Sequence, residues 1–143
     1  MSVPKTLPSK VTDMMSMFNN CHADAFNPDV SNWNVSNITK MNQTFRFCSG
    51  AAFSPNMKNW ALKTGVDTTS MFAGSKTQPA TWLDELLIAW AANPNQGNNI
   101  TIDFSPNSFT EEEGEPLPAV ASALAALEAK GWSITTANPY PAA

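Results

Sequence analysis

Apolar positions in the first half of the chain recur at a fixed distance of 27 residues. Met14 pairs with Met41, Phe18 with Phe45, Cys21 with Cys48, Phe26 with Phe53, Trp33 with Trp60 and Val35 with Leu62. So many uncommon residue types agreeing at one offset mark an internal repeat. A third copy opens at Val66, keeps Met71-Phe72 and decays after Ala73-Gly74. A unit that cannot bury its apolar side alone has to stack on its neighbours, which turns each paired position into a column.

Within a unit, Val30, Trp33 and Val35 stand at spacings of three and two with polar residues between them, the pattern of a short strand with Trp33 and Val35 pointing inward. Ile38, Met41, Phe45 and Cys48 then follow every three or four residues, a helix-like or 3₁₀-like spacing that predicts the opposite wall. From Thr81 the texture changes. Trp82–Trp90 is apolar at helical spacing behind an N-cap-like threonine, Asn93–Gly97 stops it, and Ile100, Ile102 and Phe104 alternate as a strand. A second helix is expected from about Pro116 or Leu117 to Lys130, with Glu111–Glu115 as a solvated loop at its positive end and Gly131 as its stop. Trp132 and Ile134 repeat the spacing of Trp33 and Val35.

Two stretches carry a family resemblance: Val11-Thr12-Asp13-Met14-Met15-Ser16-Met17-Phe18-Asn19-Asn20-Cys21 and Phe26-Asn27-Pro28-Asp29-Val30-Ser31-Asn32-Trp33-Asn34-Val35-Ser36-Asn37. They resemble the units of BspA-like leucine-rich-repeat proteins of bacterial surfaces, over about the first half of the chain. The second copy departs at Thr44 and at Leu62-Lys63-Thr64. Endings similar to the helix-strand second half also occur in that family. The expected fold is therefore α/β: a short right-handed leucine-rich-repeat solenoid of about four coils, with a small parallel sheet on one face and helices or 3₁₀ turns on the other. It forms a single domain over 1–143: an arm or cap at 1–10, repeats at 11–74, helix-strand coils at 75–135 and a tail at 136–143, where Pro139 and Pro141 end the last strand. The resemblance implies surface display and adhesion.

Composition supports a folded chain with a packed core: 143 residues, 43% hydrophobic, with five Trp and eight Phe. A formal charge of -4 and a pI near 4.7 argue against nucleic acid as a partner. No apolar stretch approaches the roughly 20 residues that cross a bilayer, so membrane insertion is not expected. Residues 1–10 carry two prolines where a secretory signal would need a continuous apolar run. That contrast with a surface family points to a virion, assembled inside a bacterium and released by lysis; a bacterial cell surface is the alternative.

Catalytic chemistry is thinly represented. The single histidine, His22, adjoins Cys21, but Cys21 recurs as Cys48 and His22 as Ser49 at the same repeat positions, which reads as a ladder of packed thiols. A Cys21–Cys48 disulfide is the alternative, because stacked units bring equivalent Cα atoms within roughly 4.4–6.8 Å. Neither the cysteine spacing nor Glu111-Glu112-Glu113-Gly114-Glu115 matches a zinc or calcium pattern, so no metal, cofactor or catalytic residue is assigned.

The outward neighbours on the expected sheet, Asn34, Ser36, Lys63, Thr101, Asp103, Ser133 and Thr135, form the candidate binding face. Met14, Met15 and Met17, in a first coil preceded only by the arm, form a candidate end-coil interface for docking or homo-oligomerisation. The expected function is a non-enzymatic structural or protein-interaction module. Its first setting is a capsid-decorating or tail-attached accessory of a bacteriophage; its second is an adhesin fragment binding a host protein or glycan. An enzyme ranks last.

Overall fold

Where the sequence repeats, the backbone turns more than it extends. In the computed structural model, which describes residues 3–138, each unit runs through consecutive β-turns. The N–H groups of Met17, Thr44 and Met71 bond back to the carbonyls of Met14, Met41 and Thr68. The third residue of each of these turns, Ser16, Gln43 and Ser70, has φ of 58°, 60° and 55°, the left-handed value a type II turn requires there. Asn20, Phe47 and Gly74 repeat the device four residues later. The spacing of Met41, Phe45 and Cys48 is thus the period of tandem turns, not of a helix.

These turn runs stack at the repeat distance. Met14, Ser16, Phe18 and Asn20 donate their N–H groups to the carbonyls of Lys40, Asn42, Thr44 and Arg46. Met41, Gln43, Phe45 and Phe47 donate in the same way to Asp67, Thr69, Met71 and Ala73. Parallel bridges Asp13↔Lys40 and Lys40↔Asp67 lie along the same wall.

Regular elements occupy the second half: α1 (Ala80–Ala92), β1 (Thr101–Asp103), β2 (Glu111–Glu112), β3 (Glu115–Pro116), α2 (Pro118–Glu128) and β4 (Ser133–Thr135). β1 and β4 pair in parallel with Ile102 opposite Ile134. Helix α1 begins one residue before Thr81, behind Pro79, with no side-chain cap. Helix α2 starts on Pro118, whose missing N–H costs nothing at a helix start, and Gly131 at φ 83° follows its end. The acidic run is a hairpin and not a loop: β2 and β3 pair antiparallel around Glu113 and Gly114, both at positive φ as a type I′ turn demands.

The expected leucine-rich-repeat solenoid of about four coils is overturned. The described residues contain two helices and two sheets of two strands each, with no solenoid closure and no strand at Trp33 or Trp60. The cause is local. The carboxylate of Asp29 accepts the Ser31 N–H at 3.1 Å, Asn34 accepts that of Ser36 at 3.0 Å, and Asn56 accepts that of Lys58 at 3.2 Å. Such Asx turns bend the chain every few residues and consume the N–H groups a strand ladder would use. The walls are also exchanged. The Trp33 and Trp60 segments share a wall with α1, through bonds from Trp82 Nε1 to Pro55 O and Trp90 Nε1 to Met57 O, whereas the tandem turns adjoin β1.

One hydrophobic core runs through all of this. Its axis is phenylalanine on phenylalanine: Phe18, Phe45, Phe72 and Phe104 follow one another at centroid separations of 5.6, 5.9 and 5.7 Å. Trp33 and Trp60 are buried as the pattern predicts, but each stacks on the phenylalanine of its own unit, Phe18 and Phe45. All five indoles donate to a main-chain carbonyl of an earlier segment, at Pro4, Val30, Pro55, Met57 and Gly97. The bond from Trp33 to Pro4, with Val3 and Leu7 packed on the core, seats the N-terminal arm. The expected role of Pro139 and Pro141 lies outside the described residues.

Candidate functional site

The ladder that joins one unit to the next lapses once. Thr68, Ser70, Phe72 and Gly74 stand where Met41, Gln43, Phe45 and Phe47 stand one unit earlier, yet their N–H groups donate to nothing among the described residues. A single side-chain bond crosses the gap, from Thr68 Oγ1 to Thr101 O. The next passage of the chain arrives 33 residues on, by way of α1, and the 27-residue register is lost. Beneath the gap the core stays closed, since Phe72 stacks on Phe104.

The facing wall is the free edge of β1. Its other edge is taken by β4, with Ser133 N–H bonded to Ile100 O and Phe104 N–H to Thr135 O, each at 2.8 Å. Because main-chain groups alternate sides along a parallel strand, those of Thr101 and Asp103 face away from β4. Between the two walls lies an open groove of about 750 Å³, lined by Asp67, Thr69, Ser70 and Gly74 on one side and by Asn99, Thr101, Asp103, Ser105 and Pro106 on the other.

Each wall contributes a carboxylate. Asp67 accepts the Thr69 N–H at 3.0 Å, and that bond, with further help from the Thr69 side chain and the Lys40 charge, holds its carboxyl below the usual carboxylate range. Asp103 accepts the Ser105 N–H at 2.8 Å in the same manner. The lining is otherwise hydroxyl, amide and small side chains, which can hydrogen-bond and attract positive charge.

The seven residues of the expected binding face separate. Thr101 and Asp103 line the groove, and Ser133 and Thr135 sit beside them in register on β4. Asn34 and Ser36 bond to each other at 2.7 Å and line a different depression of about 470 Å³, with Asn59 and Asn95 among its walls. Lys63 is exposed and lines neither. At the first unit, Met14 is buried at 1% exposure and drops out of any end interface, whereas Met15 and Met17 are exposed at 48% and 40%. Sequence reasoning missed Asp67, Thr69 and Ser70; the break in the repeat after Gly74 was the signal. It also missed the buried amides that tie the two halves together, where Gln78 bonds Phe53 O and Gln96 bonds both Leu62 N–H and Trp60 O.

Both cysteines are free thiols. Burial pushes Cys48 up to about 12 and raises Cys21 as well, and Cys48 Sγ donates to Phe18 O. A thiol held protonated so far above neutrality is not poised as a nucleophile. His22 Nδ1 meets Ser49 Oγ at 2.6 Å, its repeat counterpart. Among the described residues no cluster of three or more His, Cys, Asp or Glu could hold a metal ion, and no helix is long and apolar enough to cross a membrane.

A family model described as "Mycoplasma protein of unknown function, DUF285" matches residues 3–90, more than half of the chain, which therefore belongs to that family. No curated protein and no solved structure matches.

Proposed function

We propose that this member of the Mycoplasma DUF285 family is a non-enzymatic protein-interaction module displayed on a biological surface. The observation that carries the reading is the groove between Asp67–Gly74 and β1, where main-chain groups and carboxylates stand open above a closed core. Recognition by open backbone needs no catalytic constellation, and the Cys-His pair belongs instead to the repeat columns. The likeness of Val11–Asn37 to BspA-like repeat units supports a kinship with surface-displayed repeat proteins.

The display surface is first a bacteriophage particle, on which the module decorates a capsid or tail. The second reading, a bacterial cell surface with a host protein or glycan as target, is favoured by the family's description as mycoplasmal. Antibodies raised against the full chain decide between them on intact virions and intact cells. External label on particles supports the first, and external label on cells the second. Label found only after lysis, on neither surface, overturns display.

A further inference from the structure

We propose that the depression on the wall of Trp33 and Trp60 binds a neutral oligosaccharide, held by two columns of asparagine carboxamides. The proposal rests on the interaction-module reading and adds to it a ligand class at a site away from the groove. The columns follow from the register of the chain. Asn32 and Asn59 stand 27 residues apart, and the next passage returns 34 residues on, where the Asn98 N–H bonds Thr64 Oγ1. That register sets Asn93 beside Asn59 and lines up Asn34, Ala61 and Asn95 as a second column. At about 4.8 Å a passage, each column is about 10 Å long, enough for a short run of pyranose rings. Ala61 leaves a floor between the carboxamides of Asn34 and Asn95, in a depression of about 470 Å³.

The carboxamides are available to a ligand. Among the described residues the side chains of Asn32 and Asn95 make no hydrogen bond, and no bond joins one of the five carboxamides to the next. Asn34 and Asn93 use only their oxygens, to cap Ser36 and Asn95, and Asn59 uses only its Nδ2, on Ser31 O at 3.4 Å. Chemistry then selects the ligand. Among the described residues no charged side chain lines the depression, so a phosphate, sulfate or carboxylate finds no cation there. Its large apolar residues, Trp33 and Val35, are buried beneath it, which leaves a protein partner without a protruding anchor. A carboxamide presents an N–H and a carbonyl oxygen side by side, and adjacent sugar hydroxyls, each both donor and acceptor, match that pair. With no exposed ring to stack on, one site binds weakly, and many copies on one surface supply the avidity.

The test is chemical-shift titration of the backbone and side-chain amides of the full chain. The probes are maltotriose, triacetylchitotriose, glucose, a heparin tetrasaccharide and the capped peptide Thr-Ser-Val-Ser-Thr. At least one of the two neutral trisaccharides is expected to shift the carboxamide signals of Asn32, Asn34, Asn59 and Asn95 saturably, and glucose to bind at least ten-fold more weakly because one ring cannot reach both ends. The Asn32→Ala/Asn95→Ala pair removes two side chains that hold nothing in the fold, so it should weaken the trisaccharide at least ten-fold and leave the melting temperature in place. Ala61→Asn, which fills the floor, should do the same. No saturable shift with either trisaccharide, shifts outside the depression, equal binding of glucose, tighter binding of heparin or the peptide, or unchanged binding by both variants overturns the proposal. If the sugars fail while antibodies still label an exterior surface, the glycan assignment falls and the interaction-module reading stands. If a trisaccharide binds as expected while label appears only after lysis, the site stands and display falls.

Discussion

The repeats up to Gly74 and the helix-strand region after Ala80 solve one packing problem with different backbones. In the first, tandem turns and Asx turns carry the chain; in the second, α1 and α2 carry it and β1 pairs with β4. The side chains hardly notice. Phe72 meets Phe104 at 5.7 Å, as Phe18 meets Phe45 at 5.6 Å, and Trp90 bonds the preceding segment at 2.8 Å, as Trp60 does at 2.9 Å. Cohesion between successive passages thus resides in the aromatic column and the indole bonds, and the backbone is free to change so long as these persist. The groove opens where the backbone changes and the column does not.

The sharpest way to break this comparison is to cut the column on either side of the join. Phe45→Ala and Phe104→Ala each remove a fully buried ring and are expected to cost about 3–5 kcal/mol. Each should lower the melting temperature by roughly 10–15 °C in a single transition. Two transitions in calorimetry, with only one of them shifted, would show two independent halves and end the equivalence.

Next in size are the indole bonds. Trp60→Phe and Trp90→Phe keep an aromatic body but remove the indole donor from the carbonyls of Val30 and Met57, which retain the backbone N–H groups of Trp33 and Trp60, a loss of about 0.5–1.5 kcal/mol each. Similar values from urea melts would confirm that the bond has the same weight on a turn as on a helix. A cost confined to Trp90 would mean that the repeats are held by their backbone ladder instead.

How much of this could be read from the sequence follows the same division. Helical periodicity in Trp82–Trp90 and Val120–Leu127, and alternation at Ile100–Phe104, give elements within a few residues of those found, because long amphipathic patterns outweigh local chemistry. Val30-x-x-Trp33-x-Val35 reads as a strand by spacing alone, yet Asp29 and Asn34 cap turns within three residues of each other and prevent one. Burial of Trp33 and Val35 is correct; their conformation is not. The face drawn from outward neighbours fails to hold together for that reason, since Asn34 and Thr101 lie on different walls. The groove was visible only as arithmetic: Phe45 to Phe72 spans 27 residues and Phe72 to Phe104 spans 32, so a ladder built on a constant register must lapse there.

A smaller effect separates the columns by pH. Cys48 is held protonated in the fold, up to about 12 against an ordinary 9.0, so the folded state keeps a proton that the unfolded chain gives up first. Its contribution to stability is complete below about pH 9 and lost as the pH rises toward 12. Cys48→Ala should flatten the decline in unfolding free energy over that window relative to the parent chain, and alkylation of the parent at pH 8 should reach Cys21 well before Cys48. Equal alkylation rates would show that the repeat opens locally at this position.

The smallest expected effect lies on the join itself. Lys58 Nζ and Glu85 Oε2 stand 3.5 Å apart, linking the second repeat to α1, with side-chain exposures of 45% and 65%. In water such a pair gains little and is screened by salt, so a Lys58→Ala/Glu85→Ala double-mutant cycle should give a coupling of about 0.2–0.5 kcal/mol that vanishes at high ionic strength. A coupling above about 1 kcal/mol that survives salt would place part of the cohesion between the two regions in charge and not in rings and indoles.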